Sequence, residues 1–117
     1  METLCKIRDI YRTIVEYETR FEKVHNLCLN EGMLLCSLSK NEKLTSGEIA
    51  KLLGLTNSNT SKVIRSVENK KLVKRAIGKN DKRQIYFSLT KEGINKLNDI
   101  SSTKVEIPDY LNSILER

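Results

Sequence analysis

Two helix starts separated by one glycine constrain this chain more than any other feature. Thr45-Ser46-Gly47-Glu48 is a capping-box sequence. The Thr45 hydroxyl can accept from the backbone N–H three residues on, and Glu48 can reach back to the Thr45 N–H. The helix so opened runs through Ile49, Ala50, Leu52 and Leu53. Gly54 follows at the position where a left-handed backbone carries no Cβ penalty. Leu55 leaves room only for a tight turn, and Thr56 is a good N-cap for a second helix. Two helices joined this way form a helix-turn-helix. On the second, Thr60, Val63, Ile64 and Val67 fall within about 100° of one another and make a core stripe. Ser58, Ser61, Lys62, Arg65 and Asn69 cluster on the opposite side. Short donors near the helix start with two long cations further along suit a DNA major groove. The plain alternative is a solvated polar face.

Charge distribution bears on that choice. The chain has 117 residues and a net charge of +6. Residues 1–55 hold eight Lys/Arg and eight Asp/Glu; residues 56–96 hold eleven and three, a net +8; residues 97–117 hold two and four. The positive excess is confined to the segment that opens with the second helix, as a polyanion partner would require. A basic face that only aids solubility is the competing reading. With aromatics at 5% and no Trp, no stacking platform for single strands is evident.

Several classes are excluded. Three cysteines (Cys5, Cys28, Cys36) with no CxxC and one histidine, His25, assemble no metal spacing and no disulfide scaffold. No Gly-rich phosphate loop and no nucleophile–base pair has motif support, so neither an enzyme nor a cofactor is expected. The start lacks the pattern of a signal peptide, and no apolar run approaches spanning length. A cytoplasmic protein with no membrane partner is the expectation.

The flanks complete the architecture. Over 4–28, Ile7, Ile10, Ile14, Tyr17, Phe21 and Val24 are spaced 3, 4, 3, 4, 3, a heptad-like seam for packing against another helix, of the same chain or of a second copy. Asn30 offers a cap for a short helix carrying Met33, Leu34, Leu35 and Leu38. Leu72–Ile77 and Gln84–Leu89 read as a β-hairpin about a turn-rich Gly78-Lys79-Asn80-Asp81. Thr90 caps a helix expected to point Ile94 and Leu97 inward. Pro108 is expected in the first turn of a final helix with Tyr110, Leu111, Ile114 and Leu115 on its apolar side. The fold class is therefore α+β, mostly α. It is a single winged helix-turn-helix protein over 1–117, with a long N-terminal helix (1–28) before the winged region (29–97) and a short C-terminal segment (98–117) after it.

This arrangement resembles the MarR family of transcription regulators. The resemblance is strongest over 45–97, and its specific part is Asp81-Lys82-Arg83 followed by a strand and Leu89-Thr90-Lys91-Glu92-Gly93. It implies a sequence-specific regulator that binds double-stranded DNA as a homodimer on a palindromic operator and answers to a small-molecule effector or to oxidation, with 1–28 as the N-terminal dimerisation helix, 29–97 as the DNA-binding region and 98–117 as the C-terminal dimerisation segment. Ser58, Asn59, Ser61, Lys62 and Arg65 match the family's DNA-facing helix positions. Arg83 matches the wing arginine, flanked by Lys79 and Lys82. Asp81 either orients Arg83 or bonds its own turn backbone. The chain departs from the family at Lys71, where glycine is frequent, and in a short final helix. Cys5 is the candidate redox thiol, with an incidental thiol near a helix end as the plainer reading. Cys28 and Cys36 read as small apolar residues in helix interfaces, and His25 as structural or solvent-facing. A winged-helix protein-interaction module without DNA binding is the alternative function.

Overall fold

The computed structural model describes residues 2–116. The elements are α1 (Glu2–His25), α2 (Leu29–Lys40), β1 (Leu44–Thr45), α3 (Ser46–Leu53), α4 (Asn57–Asn69), β2 (Val73–Ile77), β3 (Ile85–Leu89), α5 (Lys91–Ser102) and α6 (Asp109–Leu115). They fall into two compact units. One comprises the chain up to Leu29 and from Thr103 onward; the other is Asn30–Ser102.

The second unit is a winged helix-turn-helix. Its core is built from α2 (Leu34, Leu35, Leu38), α3 (Ile49, Ala50), α4 (Thr60, Ile64, Val67) and the sheet (Leu44, Val73, Phe87). Val63, the fourth member of the α4 stripe, is half-buried. Thr60 is tolerated at 1% exposure because its hydroxyl donates to the Thr56 carbonyl at 2.8 Å, so no polar atom is stranded. The hairpin gains a third strand that its own pattern does not announce. β1 pairs antiparallel with β3, Leu44 opposite Phe87, giving the order β1-β3-β2. Two residues carry no readable periodicity, so this pairing follows from position alone.

The Leu-Thr-x-x-Gly stretch is a clasp where α5 meets the end of α4. The Thr90 N–H donates to the Leu72 carbonyl at 3.0 Å. Its hydroxyl donates to the Lys71 carbonyl at 2.7 Å and accepts from the Gly93 N–H at 3.0 Å. A Cβ on Gly93 would overlap the Leu72 carbonyl oxygen, so backbone rather than side chain makes the contact. This corrects the expected inward pair on α5. Gly93 is its buried residue, Leu97 is half-buried, and Ile94 is 51% exposed. Lys71, in the turn before β2, takes a left-handed backbone with φ 65°. The position therefore has the geometry that favours glycine, occupied here by lysine.

In the first unit, α1 packs against α6. The heptad seam is mostly not buried there. Only Phe21 is; Ile10 and Tyr17 are half-buried, and Ile7, Ile14 and Val24 are exposed. The buried α1 residues are Thr13, Phe21 and His25. His25 is structural, its ring 4.9 Å from that of Phe21. Arg20 bridges Glu16 at 2.7 Å and donates to the Glu106 carbonyl at 3.2 Å, fixing the approach to α6. Pro108 is the N-cap of α6 rather than a first-turn residue. Asn30 does not cap α2, which begins one residue earlier, at Leu29. Cys28 is half-buried, whereas Cys36 is exposed and not an interface residue as expected; Cys5 is exposed too.

Candidate nucleic-acid interface

The caps that set the helix-turn-helix form as their sequences require. Thr45 and Glu48 make the reciprocal box at 3.2 and 2.9 Å. Bonding from Thr45, its backbone N–H first and its side chain second, holds the Glu48 carboxyl below the usual range. Gly54 takes φ 67°, and Leu55 donates to the Ala50 carbonyl at 3.0 Å. The Thr56 hydroxyl accepts from the Asn59 N–H at 3.1 Å and starts α4.

With Thr60, Ile64 and Val67 buried, α4 leaves Ser58, Asn59, Ser61, Lys62 and Arg65 exposed on its other side. Helix α4 is also gripped by two carboxylates. Glu31 of α2 is only 4% exposed. It accepts from the Ser66 hydroxyl at 2.8 Å and from the Lys70 ammonium at 2.9 and 3.1 Å. Ser66 and Lys70 are one helical turn apart, so the grip spans the C-terminal end of α4. The second carboxylate is Glu68 of α4, which accepts from Arg75 of β2 at 2.8 and 2.7 Å in a bidentate pair. The Arg75 bond, above all, holds the Glu68 carboxyl below its usual range and pushes the guanidinium up. The Arg75 guanidinium also lies 5.4 Å from the Phe87 ring centroid.

Sequence reasoning missed both grips. A signal for the first existed: Glu31 stands at i of an i, i+3, i+4, i+7 set with Leu34, Leu35 and Leu38. A charge on a core-facing stripe needs a partner. The grips also revise the charge argument. Of the eleven cations in 56–96, Lys70 and Arg75 hold α4 in place through carboxylates.

At the hairpin tip, Gly78 donates to the Gln84 carbonyl at 2.7 Å and Gln84 to the Asp81 carbonyl at 3.0 Å. Of the two roles left open for Asp81, the turn bond is made, and the side-chain contact to Arg83 is a loose ion pair. The Asp81 carboxylate accepts from the Arg83 N–H at 2.9 Å and lies 3.6 Å from the Arg83 Nε, with the Arg83 side chain 95% exposed. The turn bond is the shorter. Lys79, Lys82 and Arg83 are all exposed. Within the same unit, Leu38, Leu89, Ile94 and Leu97, with Lys74 and Glu42, line an open groove of about 660 Å³.

Among the described residues no group of His, Cys, Asp and Glu could hold a metal ion. No helix there is long and apolar enough to cross a membrane.

The sequence profile of the MarR family matches residues 27–85, half of the chain. The uncharacterized HTH-type transcriptional regulator YwaE of Bacillus subtilis is 27% identical over 104 residues, covering 86% of this chain and 61% of that protein. The chain thus spans about three fifths of that relative's length. AbsC, a MarR family transcriptional regulator from Streptomyces coelicolor, shares the fold with a TM-score of 0.78 at 21% identity, over 86% of this chain and 69% of that one. The Staphylococcus aureus MepR–DNA complex aligns with a TM-score of 0.71 at 25% identity, over 86% of this chain and 74% of that one.

Proposed function

This chain belongs to the MarR family, and on that premise we propose that it is a transcription regulator that binds double-stranded DNA as a homodimer. The observation that carries the reading is α4: one face is buried, two carboxylates grip it, and Ser58, Asn59, Ser61, Lys62 and Arg65 stand exposed. Ser58, Asn59, Ser61 and Arg65 are the base-reading side chains in this proposal, each good contact contributing about 1–3 kcal/mol of discrimination. Lys62 with Lys79, Lys82 and Arg83 neutralises phosphates, which makes affinity steeply salt-dependent. Asp81 holds the turn that presents Arg83.

The homodimer is supported by the first unit. Leu4, Ile7, Tyr11 and Ile14, spaced 3, 4, 3 along α1, are 40–67% exposed, and Leu115 of α6 is 62% exposed. A stripe of this kind is a helix-pairing seam, and a second copy supplies a matching one about a two-fold axis. The operator is then a palindrome. The protein works in the cytoplasm, where the genome is accessible.

For control, a small-molecule effector is favoured over thiol oxidation. The groove beside Leu89, Ile94 and Leu97 offers apolar walls with Lys74 and Glu42 at hand. Cys5 is exposed, but the cations near it are engaged by carboxylates, Lys6 with Glu2 at 3.5 Å and Arg8 with Asp9 at 3.1 Å. Parent and Cys5→Ser are expected to keep equal DNA affinity after peroxide treatment.

Selection of bound duplexes from a random pool tests the main reading. The expected product is one palindrome. Arg83→Ala should weaken binding to all sequences, reduce the salt slope by about one and leave folding unchanged. Failure to enrich any duplex at low salt sinks the reading and favours a protein-interaction module.

A further inference from the structure

The wing carries an apolar feature that its cations do not explain. Strands β2 and β3 pair Val73 with Leu89, Arg75 with Phe87 and Ile77 with Ile85. Side chains alternate across a strand, so these three pairs share one face of the hairpin. The first pair belongs to the core, Val73 being 4% exposed and Leu89 half-buried. The second lies at the margin: Phe87 is buried, and Arg75 covers its ring while reaching Glu68 of α4. The third continues the face outward into solvent, with Ile77 at 68% and Ile85 at 40% exposure. Because Arg75 meets α4 from this face, the isoleucine pair opens on the side of the sheet that holds the recognition helix. Lys79, Lys82 and Arg83 follow directly at the tip, all exposed.

Resting on the DNA-binding reading, we infer that Ile77 and Ile85 form an apolar contact that packs against the deoxyribose edges of the minor groove. Charge complementarity commits the surface to this occupant. The pair is bordered by three tip cations, which draw a phosphate backbone to either side of it, and between phosphates a groove wall offers the C–H edges of sugars. Apolar side chains are a recurrent part of minor-groove binding. Isoleucine is stiff at χ1, so little rotamer freedom is lost on docking. Such a contact adds affinity without neutralising phosphate, and it therefore leaves no trace in the salt slope.

The test uses the full chain on its selected duplex, with Kd measured across a salt series for the parent, Ile77→Ser/Ile85→Ser, Ile77→Leu/Ile85→Leu and Lys82→Ala. The serine pair should lose about tenfold in affinity with the slope of log K against log salt unchanged. The leucine pair should retain parental affinity, and Lys82→Ala should lower the slope by about one. Both isoleucines are exposed, so circular dichroism and unfolding temperature are expected to match the parent. Parental affinity in the serine pair overturns the inference, as does a loss that moves the slope. A changed oligomeric state with unaltered DNA affinity would assign the pair to a contact between copies and also overturn it. A parent that retains no duplex instead breaks the underlying reading, a result distinct from a parent that binds and a serine pair that binds equally well.

Discussion

The two compact units handle apolar surface in opposite ways. The winged unit buries a continuous set of aliphatic residues from α2 to β3, with Leu34, Leu35, Ile49 and Val67 at 0% exposure. Its central helix is held further by the Glu31 and Glu68 grips. In the other unit, α1 is 24 residues long yet buries only Thr13, Phe21 and His25. Two of those three are polar, and Thr13 Oγ1 and His25 Nε2 have no hydrogen-bond partner among the described residues. Leu4, Ile7, Tyr11, Ile14 and Val24 of α1 are 40–67% exposed. Under the DNA-binding function proposed above, the contrast has a physical reason: disorder in α4 would add an ordering cost to binding, so the reading helix is held beforehand. Under the homodimer proposed above, the α1 face is instead left open for a second copy to complete.

The largest expected effect falls on the winged unit. Lys70→Met leaves a carboxylate of 4% exposure without that cation and should destabilise by about 3 kcal/mol, measured by urea unfolding. Glu31→Gln should cost less, because the Lys70 side chain it leaves is 37% exposed and reaches water. If Lys70→Met unfolds like the parent, the winged unit is not braced in the way that distinguishes it.

Next comes the opposite unit. Ile7→Ser/Ile14→Ser should raise the dimer dissociation constant by about a hundred-fold, read by sedimentation, with the unfolding of the winged unit unaltered. Loss of monomer stability without a change in assembly would erase the contrast between the units.

Smaller is the acid limb. The folded pKa of Glu68 is lowered from 4.5, chiefly by the Arg75 hydrogen bond. Its contribution is therefore full above 4.5 and fades as pH falls through the folded value. Glu48, also lowered, acts in the same direction. Arg75→Met should remove the Glu68 share, about 0.5–1 kcal/mol for a pair whose arginine is 57% exposed, and so flatten stability against pH below 4.5. An unchanged acid limb would remove Glu68 from the account. Smallest of all, Lys71→Gly should raise the unfolding temperature slightly. It relieves about 1 kcal/mol of left-handed strain but adds chain entropy to the unfolded state. A lowered temperature would mean that the Lys71 side chain contributes more than its backbone loses.

Much of the winged unit was legible because its signals are local. Thr45 and Glu48, Gly54, and Thr56 with Asn59 each act within four residues, and the structure holds each bond they announced. The fold class and the buried stripe of α4 followed from them. The α1 seam was legible only in part, because a 3, 4, 3, 4, 3 spacing records only that a helix wants a partner. It does not say whether the partner lies in the same chain, and within this chain only Phe21 of that seam is buried. Ile94 reads as inward because it is apolar and in phase, yet it is Gly93 that is buried against the Leu72 carbonyl, and Ile94 beside it is 51% exposed.

The helix-turn-helix, the hairpin and the polar face of α4 are written in the order of residues alone, since caps, turns and alternation are set by neighbours along the chain. Packing in three dimensions settled the rest: Glu31 is buried and grips α4, Arg75 and Lys70 are taken up by carboxylates, β1 joins the sheet, and Ile77 and Ile85 stand in the open. Each of those depends on what lies opposite a residue in space, and a spacing along the chain carries no record of that.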